Sequence, residues 1–229
     1  MHAVVVIPAH NERRRLPVCL RSALTAATLA PMPVVIVVVL DATDDGSEDL
    51  VGQYGADVHF VTVEAHNVGA ARAAGFRYAR SLPGHTGMSW YATTDADSSV
   101  DPDWLTRQLE HDTDMVLGVV RVADWRDHRA DVVRRYLRKY ADRVRRGRPH
   151  IHGANMGFSS QAYWAVGGFR GMPSGEDADL VKRFDAAGYR VRSDPALSVS
   201  TSARVAARAP RGFAHHLREL AGSAEGSRA

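Results

Sequence analysis

Read for hydrophobic and polar positions alone, the first hundred residues alternate short apolar runs with segments of helical period. The runs Ala3–Pro8, Val34–Leu40, Val58–Val63 and Ser89–Thr94 are β-branched and almost uniformly apolar, the pattern of strands buried on both faces. Between them, helical spacing runs over Arg14–Thr28, Glu48–Tyr54 and Val68–Ser81. Strand and helix in succession predict an α/β fold: a doubly wound, mostly parallel central sheet with helices on both faces. Beyond Thr94 the alternation loosens into a helix over Pro102–Glu110, a strand over Met115–Val122, a polar helix within Arg129–Arg148, and a last helix opening at Gly175. No linker or repeat divides the 229 residues. One domain is expected over residues 1–221, with a small polar tail at 222–229 that frays.

Composition narrows the classes. Hydrophobic residues at 45% and charged residues at 24% belong to an ordinary globular protein and exclude a disordered or fibrous chain. The longest apolar stretch, Val34–Leu40, falls far short of the ~20 residues that span a bilayer, and no basic leader precedes the first run. The single cysteine, Cys19, shares an apolar pattern with Leu16, Leu20 and Leu24 and reads as core. With no internal disulfide to form, the expectation is a cytoplasmic protein.

The net charge is only +3, yet residues 129–148 carry nine Lys and Arg against Asp131 and Asp142. Val133, Leu137, Tyr140 and Val144 fall there at helical spacing, which predicts an amphipathic helix with an arginine face. That face reads as solvated, or as a surface for an anionic acceptor or a phospholipid headgroup layer. The second reading sets the protein peripherally at the inner membrane surface. No nucleic-acid partner is expected.

Polar clusters follow successive strands: PAHNE after the first, DATDDGS after the second, DAD after the fourth. This is the edge where open α/β sheets bind ligands. Asp95 and Asp97, one residue apart, suit a hard cation, Mg²⁺ or Mn²⁺. Such an ion leaves coordination sites for a diphosphate and stabilises its charge as it departs.

These clusters, with NVGAARAAG at 67–75, HGANMGF at 152–158, GGF at 167–169 and GEDADL at 175–180, occur in one order and spacing. Together they resemble the family 2 glycosyltransferases of the GT-A fold, over roughly Val4 to Val191. The resemblance implies a nucleotide-binding half at 1–100 and an acceptor half at 101–221. It implies that Pro8, Ala9 and Asn11 belong to the base and ribose pocket, that Glu12 accepts a ribose hydroxyl, and that Asp41 recognises the base. Asn67, Gly69 and Arg72 match the motif that closes on the nucleotide, Asp95 and Asp97 match its metal site, and Asp95 counts among the nucleotide contacts as well. Gly153 and Asn155 would lie beneath the transferred sugar, Glu176 would bind acceptor hydroxyls, and Asp177 would be the base of an inverting transfer from a UDP- or GDP-linked donor. On residue chemistry alone other roles stand open: Asp41 as a turn former, Arg72 as a solvated cation, and the GEDADL acids as helix N-terminal charges.

Departures from the family pattern are also legible. The second loop reads LDATDDGS, and DPALSVSTSARV at 194–205 lacks the metal-binding histidine that many relatives carry there. His215 and His216 read as a surface helix. No Q-x-x-R-W box is present, which points to single addition. PAHNE lacks the glycines of a dinucleotide fold, excluding a dehydrogenase, and the N-terminus lacks the glycine-rich basic loop of a sugar-nucleotide pyrophosphorylase. The rival from another class is a non-catalytic protein that binds a nucleotide sugar or docks on a partner.

Overall fold

A computed structural model describes residues 1–84, 87–122, 124–126, 129–145 and 151–202. His215, His216, the 222–229 tail, and Arg146 and Arg148 of the basic segment lie outside the described residues. The chain forms β1 (His2–Ala9), α1 (Leu16–Leu29), β2 (Val34–Asp41), β3 (Val58–Val63), α2 (Val68–Ser81), β4 (Ser89–Thr93), β5 (Ser98–Val100) and α3 (Trp104–Glu110). It continues through β6 (Met115–Val122), α4 (Ala130–Arg145), β7 (Met156–Ser159), α5 (Ser160–Ala165), α6 (Glu176–Ala186) and β8 (Val191–Thr201). The strands make one sheet in the order β3-β2-β1-β4-β7-β6-β8-β5.

The doubly wound reading holds for the N-terminal half, where β1 pairs in parallel with β2 and β4, and β2 with β3. Beyond β4 the sheet is mixed. β7 runs antiparallel to β4 and β6, β6 is parallel to β8, and β5 is antiparallel to β8. β1, β2, β4, β6 and β8 therefore end on one edge, and β7 starts there.

The uniform apolarity of these strands has a simple cause: each face buries a separate core. Ala3, Val5 and Ile7 pack with Leu16, Cys19 and Leu20 of α1 and with Trp104 of α3. Val4 and Val6 point the other way, to Ala71 and Phe76 of α2 and to Leu180 and Phe184 of α6. Burial pushes the Cys19 thiol pKa up, reinforced by the carboxylates of Asp95, Asp97 and Glu12.

Two local expectations are corrected. The helix expected at Glu48–Tyr54 is a single 3-10 turn, Ser47–Leu50, bracketed by Gly46 and Gly52 at positive φ. In α4 the inward stripe is Val132, Tyr136 and the half-buried Tyr140, packed with Trp125, whereas Leu137 is 52% exposed. The stripe 132, 136, 140 has the same helical period as the apolar positions read from the sequence, and the larger tyrosine rings take the inner side.

Candidate active site

The loops after β1 and β2 are laced together. Asn11, at φ 56°, donates from Nδ2 to Asp44 Oδ1 at 2.7 Å and accepts the Asp44 N–H at 2.9 Å. Arg13 donates its backbone N–H to Asp45 and its guanidinium to Asp49 and the Gly46 carbonyl. Asn tolerates this left-handed backbone because its short amide bonds locally. The amide of Asn11 thus ties loop to loop. Pro8 and Ala9 are the last residues of β1, buried and paired with Val39 and Leu40, and the Ala9 methyl joins the core. Glu12 is 7% exposed, and its carbonyl accepts the N–H groups of Arg15 and Leu16 as α1 opens.

Asp41, at the end of β2, is 5% exposed. Its Oδ1 accepts the backbone N–H of Ala65 at 2.7 Å and of His66 at 2.9 Å, and its Oδ2 that of Asn67 at 2.8 Å. The carboxylate that the resemblance assigns to a base is engaged in shaping this turn. Asn67 then caps α2 through the Ala70 N–H and donates to the Met172 carbonyl at 2.7 Å, joining the donor half to the loop before α6.

Arg72 is the centre of the site. It is 2% exposed, not solvated, and donates from Nη2 to Asp95 Oδ1 at 2.7 Å and from Nη1 to Glu176 Oε1 at 2.5 Å. Burial alone disfavours its charge, but Asp95, Glu176 and Asp177 outweigh burial and hold its pKa above the ordinary arginine value. Two glycines admit this arrangement. A Cβ on Gly153 would stand 2.6 Å from the Arg72 guanidinium, and one on Gly69 would stand 2.2 Å from the Arg170 carbonyl and 3.0 Å from Glu176 Cβ.

Partial burial raises the Asp95 pKa; Arg72 pulls it down, and Asp97 pushes it back up. Asp97 is half-buried, with the Thr201 hydroxyl 3.5 Å from its Oδ1 and Ser98 Oγ 3.1 Å from that hydroxyl. Sequence reasoning missed Thr201. A threonine at a strand end carries no signal, and only the pairing of β5 with β8 brings it to the DAD segment.

On α6, Asp177 sits in the first turn behind Gly175 at φ 78°. Its Oδ2 accepts the Gly153 N–H at 3.0 Å and its Oδ1 the Ala178 N–H at 2.7 Å. Of the three acids there, Glu176 is paired with Arg72, and Asp179 with Arg183 and Arg170. Asp177 makes no ion pair among the described residues.

Asn155 lies inside the fold. It is 0% exposed. Its Oδ1 accepts Trp104 Nε1–H at 2.9 Å, and its Nδ2 donates to the carbonyls of Val119 and Leu197 at 2.9 and 3.1 Å. The amide is consumed inside the fold because the β6–β8 ladder shifts register between Leu117 and Val119, leaving carbonyls that a side chain must satisfy. Asn155→Ala should therefore cost roughly 2–4 kcal/mol of stability, through buried groups left unpaired. The urea midpoint measures this; unchanged stability with weakened nucleotide-sugar binding would return Asn155 to the ligand.

Among the described residues, no group of three or more His, Cys, Asp or Glu side chains is arranged to hold a metal. What the structure brings together at one edge is Arg72, Asp95, Asp97, Gly153, Glu176 and Asp177.

The glycosyl transferase family 2 model matches residues 4–167, more than half of the chain. The chain belongs to glycosyltransferase family 2. The GT-A architecture of this family 2 domain is shared with S. aureus TarS 1-349 in complex with UDP-GlcNAc (TM-score 0.68, 14% identity, 97% of this chain and 66% of that one). It is shared as well with the mannosyltransferase PcManGT from Pyrobaculum calidifontis in complex with GDP-Man and Mn²⁺ (TM-score 0.68, 20% identity, 99% and 64%). At these identities the likeness concerns the fold. The family 2 domain spans slightly less than two thirds of the length of those structures. No curated protein matches its sequence significantly.

Proposed function

We propose that this domain transfers a sugar from a UDP- or GDP-linked donor to an acceptor hydroxyl, with inversion, one addition at a time and with a divalent cation. The observation that carries the reading is the Arg72 clamp. It joins Asp95, at the end of donor strand β4, to Glu176, next to Asp177 on α6. Donor and acceptor chemistry thereby share one rigid frame. The ligands named for the two structural neighbours, UDP-GlcNAc and GDP-Man with Mn²⁺, support a nucleotide-diphospho-sugar donor.

In this mechanism Asp177 takes the proton of the acceptor hydroxyl as its oxygen attacks the anomeric carbon. The bond from that carbon to the diphosphate breaks, and its electron pair leaves on the diphosphate. Attack from the side opposite the leaving group inverts the centre. Two backbone N–H groups orient the Asp177 carboxylate, so its geometry is set before substrate arrives.

The residues present fit a hard divalent ion. Asp95 and Asp97 are hard oxygen donors one residue apart, and Arg72 is the cation that faces Asp95. Asp97 and the Asp95 oxygen not bound to Arg72 would hold Mg²⁺ or Mn²⁺, with remaining positions for phosphate and water. When bound, the ion supplies charge stabilisation to the departing diphosphate.

Calorimetric titration of UDP and GDP tests the reading. Mn²⁺ should tighten binding by about tenfold or more, roughly 1.4 kcal/mol, and Asp97→Ala should remove the gain. Equal affinity in EDTA would overturn metal assistance, and absence of binding with or without Mn²⁺ would overturn the donor assignment.

A further inference from the structure

We infer that the outer face of α4 is a docking surface for an anionic lipid bilayer, set on the acceptor side of the site. The first support is where the charge lies. Residues 129–148 hold nine cations and two acids, while the whole chain is only +3, so the rest of the protein is net acidic. A general solubilising charge would be spread; this one is gathered in one short stretch of sequence.

The second support is the composition of the face. Val132 and Tyr136 are 3% and 7% exposed and turn α4 inward onto Trp125. Arg129 and Arg135 lie against Asp131 at 3.2 and 3.7 Å, and Arg126 against Asp124. Arg134, Leu137 and Arg138 share the opposite face, at helical spacings of three and four. Both of these arginines are exposed and make no ion pair among the described residues, and Leu137 between them is 52% exposed. At a bilayer interface the same trio is complementary: the apolar side chain enters the acyl boundary while its flanking cations meet anionic headgroups.

The third support is position. β7 is antiparallel to both β4 and β6, so β6 ends on the edge where β4 delivers Asp95 and Asp97. α4 follows from that end of β6. After α4 the chain returns to the same edge at Gly153, whose N–H binds Asp177. The basic face thus belongs to the segment that frames the acceptor side, where a lipid-linked acceptor would be presented. Docking stands on the surface itself; only this consequence for the acceptor rests on the transferase reading.

Flotation of the full chain with vesicles of phosphatidylcholine, alone or mixed with phosphatidylglycerol, tests the docking. Binding is expected only to the anionic vesicles and should weaken as salt rises. Arg134→Ala/Arg138→Ala should lower the partition coefficient on the order of tenfold or more, at about 1 kcal/mol per cation. Leu137→Ser should lower it severalfold at unchanged charge. Circular dichroism establishes that the variants fold, and Asp97→Ala should still float. Failure of the transferase reading would therefore leave the lipid result intact. Equal partition into neutral vesicles, undiminished binding of the double variant, or binding to soluble polyphosphate without flotation would overturn the proposal, the last assigning the face to a soluble polyanion.

Discussion

Arg72→Ala should lower unfolding stability by about 3 kcal/mol and abolish sugar transfer. The magnitude follows from the two partners. Removing one member of a buried ion pair costs roughly 3–5 kcal/mol because the other charge stays buried and unpaired. Here the penalty falls mainly on Glu176, whose side chain is 9% exposed, while Asp95 at 38% can be rehydrated. That asymmetry places the expected cost at the low end of the range. Arg72→Lys should recover only part of it. A single ammonium cannot reproduce the fork that donates from Nη2 to Asp95 and from Nη1 to Glu176. Urea unfolding reads the stability, and donor turnover reads the chemistry. A solvated surface arginine would change stability by less than about 0.5 kcal/mol, and that result would remove the clamp from the account.

Much of the scaffold was legible because its cause is local. The bounds of β3, α2 and β6 agree with those predicted by apolar runs and helical spacing, Val58–Val63, Val68–Ser81 and Met115–Val122. Strands buried on both faces leave an unbroken apolar run, and a capping Asn67 before an alanine-rich period marks the start of a helix. The convergence of PAHNE, DATDDGS and DAD on one edge was legible for the same reason, since parallel strands end together. The pairings within the site were not. Arg72 finds its acids 23 and 104 positions away, and nothing in an alanine-rich helix says that this arginine faces inward. Asn155 carries the residue type of a ligand contact but is taken up by the sheet, because the neighbouring ladder shifts its register. Thr201 reaches Asp97 only through a strand order that runs from β4 across β7, β6 and β8 to β5. Long-range burial decided all three, and side-chain chemistry alone does not encode it.

Asp177→Asn should lower kcat by about 10²–10⁴-fold, the usual worth of a positioned general base, while leaving donor affinity and the fold nearly intact. The choice among the three acids of GEDADL rests on their partners. A carboxylate already hydrogen-bonded to a guanidinium has lone pairs engaged there and is held in that geometry, away from an incoming hydroxyl. Glu176 is held by Arg72, and Asp179 by Arg183 and Arg170. Asp177 accepts only the backbone N–H groups of Gly153 and Ala178 among its described bonds. Those bonds fix its direction, and each oxygen keeps lone-pair capacity for a hydroxyl proton. Asparagine has nearly the same shape but a single acceptor oxygen. One of the two N–H groups loses its partner, at a cost of about 1 kcal/mol, too small to account for a kcat loss of several orders. Asp177→Glu separates position from basicity: it restores a carboxylate on a longer stem and should remain well below the parent rate. Turnover by Asp177→Asn within about tenfold of the parent would exclude Asp177 as base. A collapse of donor binding in the same variant would instead make the acid part of the donor pocket, and steady-state kcat and KM with calorimetric donor titration tell these outcomes apart.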